Sequence, residues 1–236
     1  MQNDFLTTVF ITGSNRGMGL GYVKHYLQEG AKIIATVRNK KKCHELLRLK
    51  ASNPKNLILI SLDISKKKSL KKLAVRLKEL RADFSLVINN AGISNEKAFG
   101  IWTMKSFEDH FRVNTIGPAL IAQAIVPYMR ENSKLIQISS GMGSIQWNIN
   151  PTNDFDAYAA SKSALHSITV RLAEKLKERK ITIISLNPGW VQTDMGGKDA
   201  DNSVDESIEN ITKTIDTLNL SDSGSFISDT GDKIPW

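Results

Sequence analysis

Tyr158-Ala159-Ala160-Ser161-Lys162 sets a phenol and an ammonium four residues apart. On a helix such a pair shares one face, one turn apart. An ammonium beside a phenol favours the phenolate and so lowers the phenol pKa from its ordinary value of about 10. Bringing it down by three would take about 4 kcal/mol of differential interaction. One close cation, assisted by the positive ring of a cofactor, is of the right size to do this. The result would be a group able to give or take a proton near neutral pH. Alone the spacing is weak, because a surface tyrosine and a solvated lysine satisfy it equally well. Its meaning depends on its company.

A second chemical stretch is Thr12-Gly13-Ser14-Asn15-Arg16-Gly17-Met18-Gly19. It lies between an apolar run and a helical pattern, where a phosphate-binding turn has to lie. Glycines there permit a tight turn and close approach of the backbone to a pyrophosphate. The N-terminus of the following helix offers free N–H groups and partial positive charge. A glycine-rich turn that only packs is the plainer alternative.

These residues must be held by the elements around them. Apolar runs predict strands at Thr8–Thr12, Lys32–Val37, Leu57–Ile60, Ser85–Ile88, Lys134–Ile138 and Ile181–Leu186. Helical spacing alternates with them: Leu20–Gln28, Lys41–Lys50, Lys66–Arg81, one long segment Phe107–Met129, and 155–179. The strands are continuously apolar, as expected when helices cover both sheet faces. Repeated βα units predict an α/β fold with a doubly wound parallel sheet, a Rossmann fold. No linker or repeat divides residues 1–236, so one domain is expected. Residues 199–225 look polar, with one weak helix before a last strand near Phe226-Ile227, and 196–225 is the expected substrate-loop region.

Composition narrows the class. The chain has 236 residues, 41% hydrophobic and 24% charged, which suits one soluble globular domain. No apolar run approaches the roughly 18 residues of a membrane helix. Met1-Gln2-Asn3-Asp4 has no basic character and the apolar run after it is short, so no signal peptide is expected. The single cysteine, Cys43, excludes an internal disulfide and a cysteine-built metal site. A cytoplasmic protein without membrane attachment is the expectation. The net charge of +8 gathers in Lys40-Lys41-Lys42 and in 66–81, where Leu70, Leu73, Leu77 and Leu80 mark an amphipathic helix with a basic outer face. With no nucleic-acid module beside it, that face reads as solvated rather than as a nucleic-acid surface. His25, His44, His110 and His166 share no ligand spacing, so no metal is assigned.

The glycine spacing, Asn89-Asn90-Ala91-Gly92, Asn114, Ser140, Tyr158-x-x-x-Lys162 and Pro188-Gly189 together resemble the short-chain dehydrogenase/reductase family. The match runs in family order from Thr8 to Met195. Asn15-Arg16-Gly17, Asn114-Thr115-Ile116-Gly117-Pro118, the stretch Gly189–Gly197 and Pro235-Trp236 look most like its carbonyl-reductase and sniffer-like members. The resemblance implies that Gly13, Ser14, Asn15, Arg16, Gly17, Met18 and Gly19 cradle the phosphates. Asn89, Ala91 and Gly92 would line the adenosine side. Asp63 would take the adenine amino group, unless it only caps the helix beginning near Lys66. Pro188, Gly189, Val191 and Thr193 would contact the nicotinamide, unless they only turn the chain after the strand.

Two arginines bear on the cofactor. In NAD-binding Rossmann proteins an acid near the end of the second strand takes the ribose 2′-hydroxyl, whereas an arginine accommodates a 2′-phosphate. Here that strand ends Thr36-Val37-Arg38-Asn39, without an acid. Arg16 is expected to reach toward the same region, so the pair favours NADP(H).

For the chemistry, the resemblance implies Tyr158 as general acid or base, with Lys162 lowering its pKa and bonding the nicotinamide ribose. Ser140 would donate a hydrogen bond to the substrate oxygen, and strand alternation sends its rival Ser139 to the opposite face. Asn114 would hold a water against Lys162, or else simply adapt a helix kink near Gly117-Pro118. An NADPH-dependent reductase of a small-molecule aldehyde, ketone or quinone follows, or an alcohol dehydrogenase in reverse. A non-catalytic NADP(H)-binding sensor on the same fold is the alternative. The helices 107–129 and 155–179 are apolar on more than one side, which predicts a homodimer. Seventeen residues, 141–157, separate Ser140 from Tyr158. Carrying Trp147, Asn148, Asn150, Pro151 and Asn153, that insertion should reshape the substrate mouth.

Overall fold

A computed structural model describes residues 7–236. The expectation placed on Met1–Asp4 lies outside the described residues. Seven parallel strands form one sheet: β1 (Thr8–Ile11), β2 (Lys32–Val37), β3 (Leu57–Ser61), β4 (Phe84–Asn89), β5 (Met129–Ile138), β6 (Thr182–Asn187) and β7 (Phe226–Ser228). Their order across the sheet is β3-β2-β1-β4-β5-β6-β7. The direction of travel reverses between β1 and β4, where Ile11 pairs with Ala35 on one side and Ile88 on the other. A crevice opens beyond the carboxyl ends of the strands at such a switch point.

The uninterrupted apolar runs are explained by the two layers. Val9 and Ile11 enter one core with Val23, Leu46 and Ile88, whereas Phe10 enters the other with Leu73, Leu77 and Val87. The first layer includes α1 (Gly17–Gln28), α2 (His44–Ser52) and α7 (Val204–Thr217). The second includes α3 (Lys67–Glu79), α5 (Gly117–Ile125) and α6 (Asp156–Leu176). In α3 only Leu73 and Leu77 are fully buried, and Lys67, Lys68, Lys71 and Lys72 face solvent. No helix among the described residues is long and apolar enough to cross a membrane.

Three elements differ from the sequence expectation. The long helix over 107–129 is two helices, α4 (Met104–Phe111) and α5, joined by a π-helical turn at Arg112–Ile116. It ends early because Pro127 allows only a short 3-10 turn, and β5 starts at Met129, pairing with Phe84. The polar stretch after Asp199 contains a full helix, not a weak one. α7 starts with a reciprocal capping box between Ser203 and Glu206 and buries Ile208, Ile211 and Ile215. It packs on α1 at Gly21, where a Cβ would lie 2.8 Å from Ile208 Cγ1. Much of 196–225 is therefore helix against the sheet layer rather than loop.

Candidate active site

The glycine turn is built to leave a backbone surface open. Thr12 N–H continues the sheet onto Ile88 O, and its hydroxyl accepts the amide of Ala91 at 3.0 Å. Gly13 and Gly17 have φ of +68° and +50°, the left-handed region that favours glycine. At Gly19 a Cβ would stand 2.2 Å from Gly13 O, so no side chain fits between turn and helix. Arg16, at the N-cap of α1, makes no side-chain cap, and no acid occupies the first helical turn. The amides at this helix start thus keep their capacity for an anion. Ser14 turns inward, donating to Ile11 O at 3.0 Å, and supports the turn with its side chain instead of lining it.

Asn89 requires a correction. Its amide is buried within the sheet, donating to Gln137 Oε1 at 3.0 Å and Pro118 O at 3.3 Å, so its side chain does not line an adenosine site. Its neighbour Asn90 serves this end instead. Asn90 Nδ2 donates to Thr12 O at 2.9 Å and Gly13 O at 3.3 Å, clamping the glycine turn to β4. The motif was legible, but pleat alternation decides which of two adjacent asparagines faces the turn.

At the far side, Arg38 is exposed just beyond β2. Asp63 Oδ1 accepts the Ser65 amide at 3.0 Å and its hydroxyl at 2.6 Å, and Lys66 stands 3.6 Å from Oδ2. Burial alone would raise the Asp63 pKa, but the Ser65 bonds and the charges of Lys66 and Arg38 outweigh it and hold the carboxyl below its ordinary range. Asp63 thus shapes the entry to α3 and shares the field of Arg38. Arg16 projects from the glycine turn, and in the chain without cofactor its guanidinium pairs with Asp194. Both partners are mostly exposed, so the pair adds little stability.

Four groups meet at the chemical end. Ser140 lies two residues beyond β5, capping the 3-10 turn Gly141–Gly143, and accepts the Met142 amide at 3.2 Å. Tyr158, in the first turn of α6, is half-buried, and its ring packs edge-on to Phe155 and His110. Burial raises the Tyr158 pKa, and the neighbouring Ser140 side chain pulls it part of the way back. Lys162 Nζ lies 5.6 Å from the phenol ring centre and donates to Ile138 O at 2.8 Å. Its own pKa falls from 10.5 to about 8 because it is buried. In the chain without cofactor, desolvation dominates at Tyr158, which holds its proton. Asn114 lies in the π-helical turn, where its amide donates to Ile93 O and Ser161 Oγ and accepts from Ile93 N. Absence of a side chain at Gly92 keeps this corner open, with Asn114 Oδ1 and Lys162 Nζ at 3.4 and 3.8 Å from where a Cβ would be.

The buried Ser139 side chain bonds His166 Nε2 at 2.6 Å, one turn after Lys162 on α6. Beyond β6, Gly189 has φ of +75°, Val191 bridges to Asn202, and Pro188 O accepts from Ser207. Thr193 is folded back over the glycine turn, its Cγ2 3.3 Å from where a Gly17 Cβ would be. The predicted residues Gly13, Gly17, Gly19, Ala91, Gly92 and Thr193 thus converge at the switch point, next to Ser140, Tyr158 and Lys162. His110 was missed. It is buried, accepts the Asn95 amide at 3.1 Å and walls one side of Tyr158. Among the described residues no cluster of His, Cys, Asp or Glu could hold a metal.

The model of the short chain dehydrogenase family matches residues 7–203. A short chain dehydrogenase of Penicillium aethiopicum is 32% identical, aligned over 97% of this chain and 99% of its own. Among solved structures, NADPH-bound carbonyl reductase from chicken fatty liver superposes with a TM-score of 0.92 at 33% identity, covering 98% of this chain and 99% of that one. The carbonyl reductase Sniffer of D. melanogaster gives 0.91 at 30% identity, covering 98% and 100%.

Proposed function

Because this chain belongs to the short-chain dehydrogenase family, we propose that it is an NADPH-dependent reductase of aldehydes, ketones or quinones, running in reverse as an alcohol dehydrogenase. The observation that carries this reading is the meeting of Ser140, Tyr158 and Lys162 beside an uncapped glycine turn. A dinucleotide sensor would need the turn and Arg38, but not a serine and a lysine beside the tyrosine. NADPH, when bound, supplies the hydride. Ser140 donates a hydrogen bond to the carbonyl oxygen and stabilises charge as it grows there. Tyr158, protonated at neutral pH, delivers the proton to that oxygen. Lys162 offsets the phenolate left behind and bonds the ribose hydroxyls. Asn114 fixes Ile93 and, with its remaining lone pair, would hold a water against Lys162; the Lys162 ammonium would pass a proton to the phenolate left on Tyr158 and take one back from that water. Trp190 and Met195, about half exposed, form part of the substrate wall after β6.

The cofactor assignment rests on Arg38 and the lack of an acid at the end of β2. Losing a charge-assisted contact of about 1.5–3 kcal/mol corresponds to roughly 10–100-fold in affinity. Arg38→Asp should weaken NADPH binding by that factor, while NADH, with no 2′-phosphate, binds as before or better. Titration of both cofactors into both proteins needs no substrate. Equal loss for NADPH and NADH would give Arg38 a structural role, and tighter wild-type binding of NADH would overturn the NADP(H) assignment.

We also propose a homodimer through the outer faces of the segments 107–129 and 155–179. Ile116, Leu120 and Val170 lie there 51%, 37% and 43% exposed, a large apolar outlay for a solvated surface. Light scattering at micromolar concentration should return twice the chain mass of 26.2 kDa. A monomer would remove this assembly.

A further inference from the structure

Ser140 stands two residues beyond β5, and the chain after it has little regular structure until α6 begins at Asp156. The nearest contacts are local: Gly143 N bonds Ser140 O, Gly141 N bonds Asn187 Oδ1, and Ser163 Oγ donates to Gly143 O at 2.8 Å. Beyond Gly143 the segment is held from another part of the chain. Ser144 Oγ donates to Pro235 O at 2.7 Å and accepts the Trp147 amide at 3.1 Å. The Gln146 amide donates to Trp236 O at 3.0 Å.

Pro235 and Trp236 arrive there because the chain doubles back after β7. Ile227 bridges antiparallel to Lys233, and Ile234 N donates to Phe226 O at 2.8 Å. The Trp236 ring then stacks on Phe226, centroids 5.8 Å apart and planes at 15°, and packs against His166 at 5.1 Å. His166 lies 4.2 Å from Phe226 in turn and bonds the buried Ser139 hydroxyl. The 3-10 turn lies flat against this imidazole, since a Cβ on Gly143 would be 2.8 Å from His166 Cε1. One aromatic stack thereby grips the residue before Ser140 and the segment after it. On the outer side of that segment, Ile149 Cδ1 and the Trp147 ring close over Gly141, at 2.8 and 3.5 Å from where its Cβ would be. They form an apolar wall directly beside Ser140.

We propose that Trp236 is a positioning residue: its ring on His166–Ser139 and its backbone carbonyl on the Gln146 amide, together with Pro235 O on Ser144, fix Ser140 toward Tyr158 and set the Trp147–Ile149 wall against the substrate. The catalytic part of this rests on the reductase reading above, and the anchoring part does not. The neutral state of His166 suits the role. Burial, with the Lys162 charge, pushes its pKa down to about 4, so the stack carries no charge at neutral pH.

The test compares wild type, Trp236→Ala, Trp236→Phe and Ser144→Ala by two readouts. Backbone hydrogen exchange needs no substrate. In Trp236→Ala the amides of Gly141–Trp147 should exchange at least roughly tenfold faster, with Gly13–Gly19 unchanged. With para-nitrobenzaldehyde and NADPH, kcat/KM should fall about ten- to a hundredfold, as misplacement of a reacting group by an ångström does. NADPH affinity should hold, Trp236→Phe should recover most of the loss, and Ser144→Ala should raise KM more than it lowers kcat. Unchanged exchange at Gly141–Trp147 in Trp236→Ala overturns the proposal. So does equal acceleration across the whole chain with loss of NADPH affinity, which would make Trp236 a general stabiliser. If wild type reduces no carbonyl probe, the reductase reading falls, and the exchange result still decides whether Trp236 anchors the segment.

Discussion

Tyr158→Phe is expected to cost roughly 10²–10⁴-fold in turnover, the range for loss of a general acid, while fold and NADPH affinity persist. The substitution removes one oxygen and keeps the ring that packs edge-on to Phe155 and His110. The Ser140 hydroxyl still accepts the Met142 amide. Reduction needs the protonated phenol. Since burial holds the Tyr158 pKa above its ordinary value, the proton is available throughout the neutral range, and reduction should fade only as pH rises through that raised pKa. Oxidation of an alcohol needs the phenolate and should show the opposite slope. Single-turnover reduction with NADPH in excess isolates this step. Near-normal turnover in Tyr158→Phe would remove the tyrosine from the chemistry and leave Ser140 or a water as the donor.

The alternation of apolar runs with helical spacing was enough to place six of the strands, because strands covered on both faces are apolar at nearly every position; the switch point came from the strand order. Glycine spacing announced the phosphate turn, since Gly13, Gly17 and Gly19 are sites where geometry forbids a side chain. Orientations could not be read. Asn89 and Asn90 differ only in which side of the pleat they face, and one lies in the core while the other clamps the turn. The pairing of Arg16 with Asp194, far along the chain, has no local signal. The polar composition after Asp199 concealed the spacing of Ile208, Ile211 and Ile215 that makes α7. His166 and Trp236 share no local motif, so their stacking was invisible until β7 brought the chain back. The electrostatics were hidden most completely. Tyr158 and Lys162 read as a cation beside a phenol; in the chain without cofactor, desolvation raises the pKa of the half-buried phenol and lowers that of the buried lysine.

Lys162→Met carries the consequence of that burial, and it should separate function from stability. Lys162 is 5% exposed and its pKa is pulled from 10.5 to about 8 by burial. The unfolded chain therefore holds this proton more tightly than the folded one. Stability rises with pH wherever the unfolded state binds more protons. Between about 8 and 10.5 the wild-type protein gains stability from this group; below about 8 both states are charged and the full cost of burying the ammonium is present. That cost is on the order of 3 kcal/mol, offset by about 1 kcal/mol for the hydrogen bond to Ile138 O. A methionine of similar length is neutral at every pH. Without cofactor, Lys162→Met should be more stable than wild type by roughly 2 kcal/mol at pH 7, and the advantage should disappear above the ordinary lysine pKa. Activity should move the other way, by at least about 10²-fold, because the phenolate formed on Tyr158 loses its counter-charge. Denaturant titrations of both proteins at neutral pH and near pH 11, paired with turnover at neutral pH, read both effects. A variant less stable than wild type at neutral pH would mean the Ile138 contact outweighs desolvation. A variant with undiminished turnover would leave the proposed chemistry without its cation.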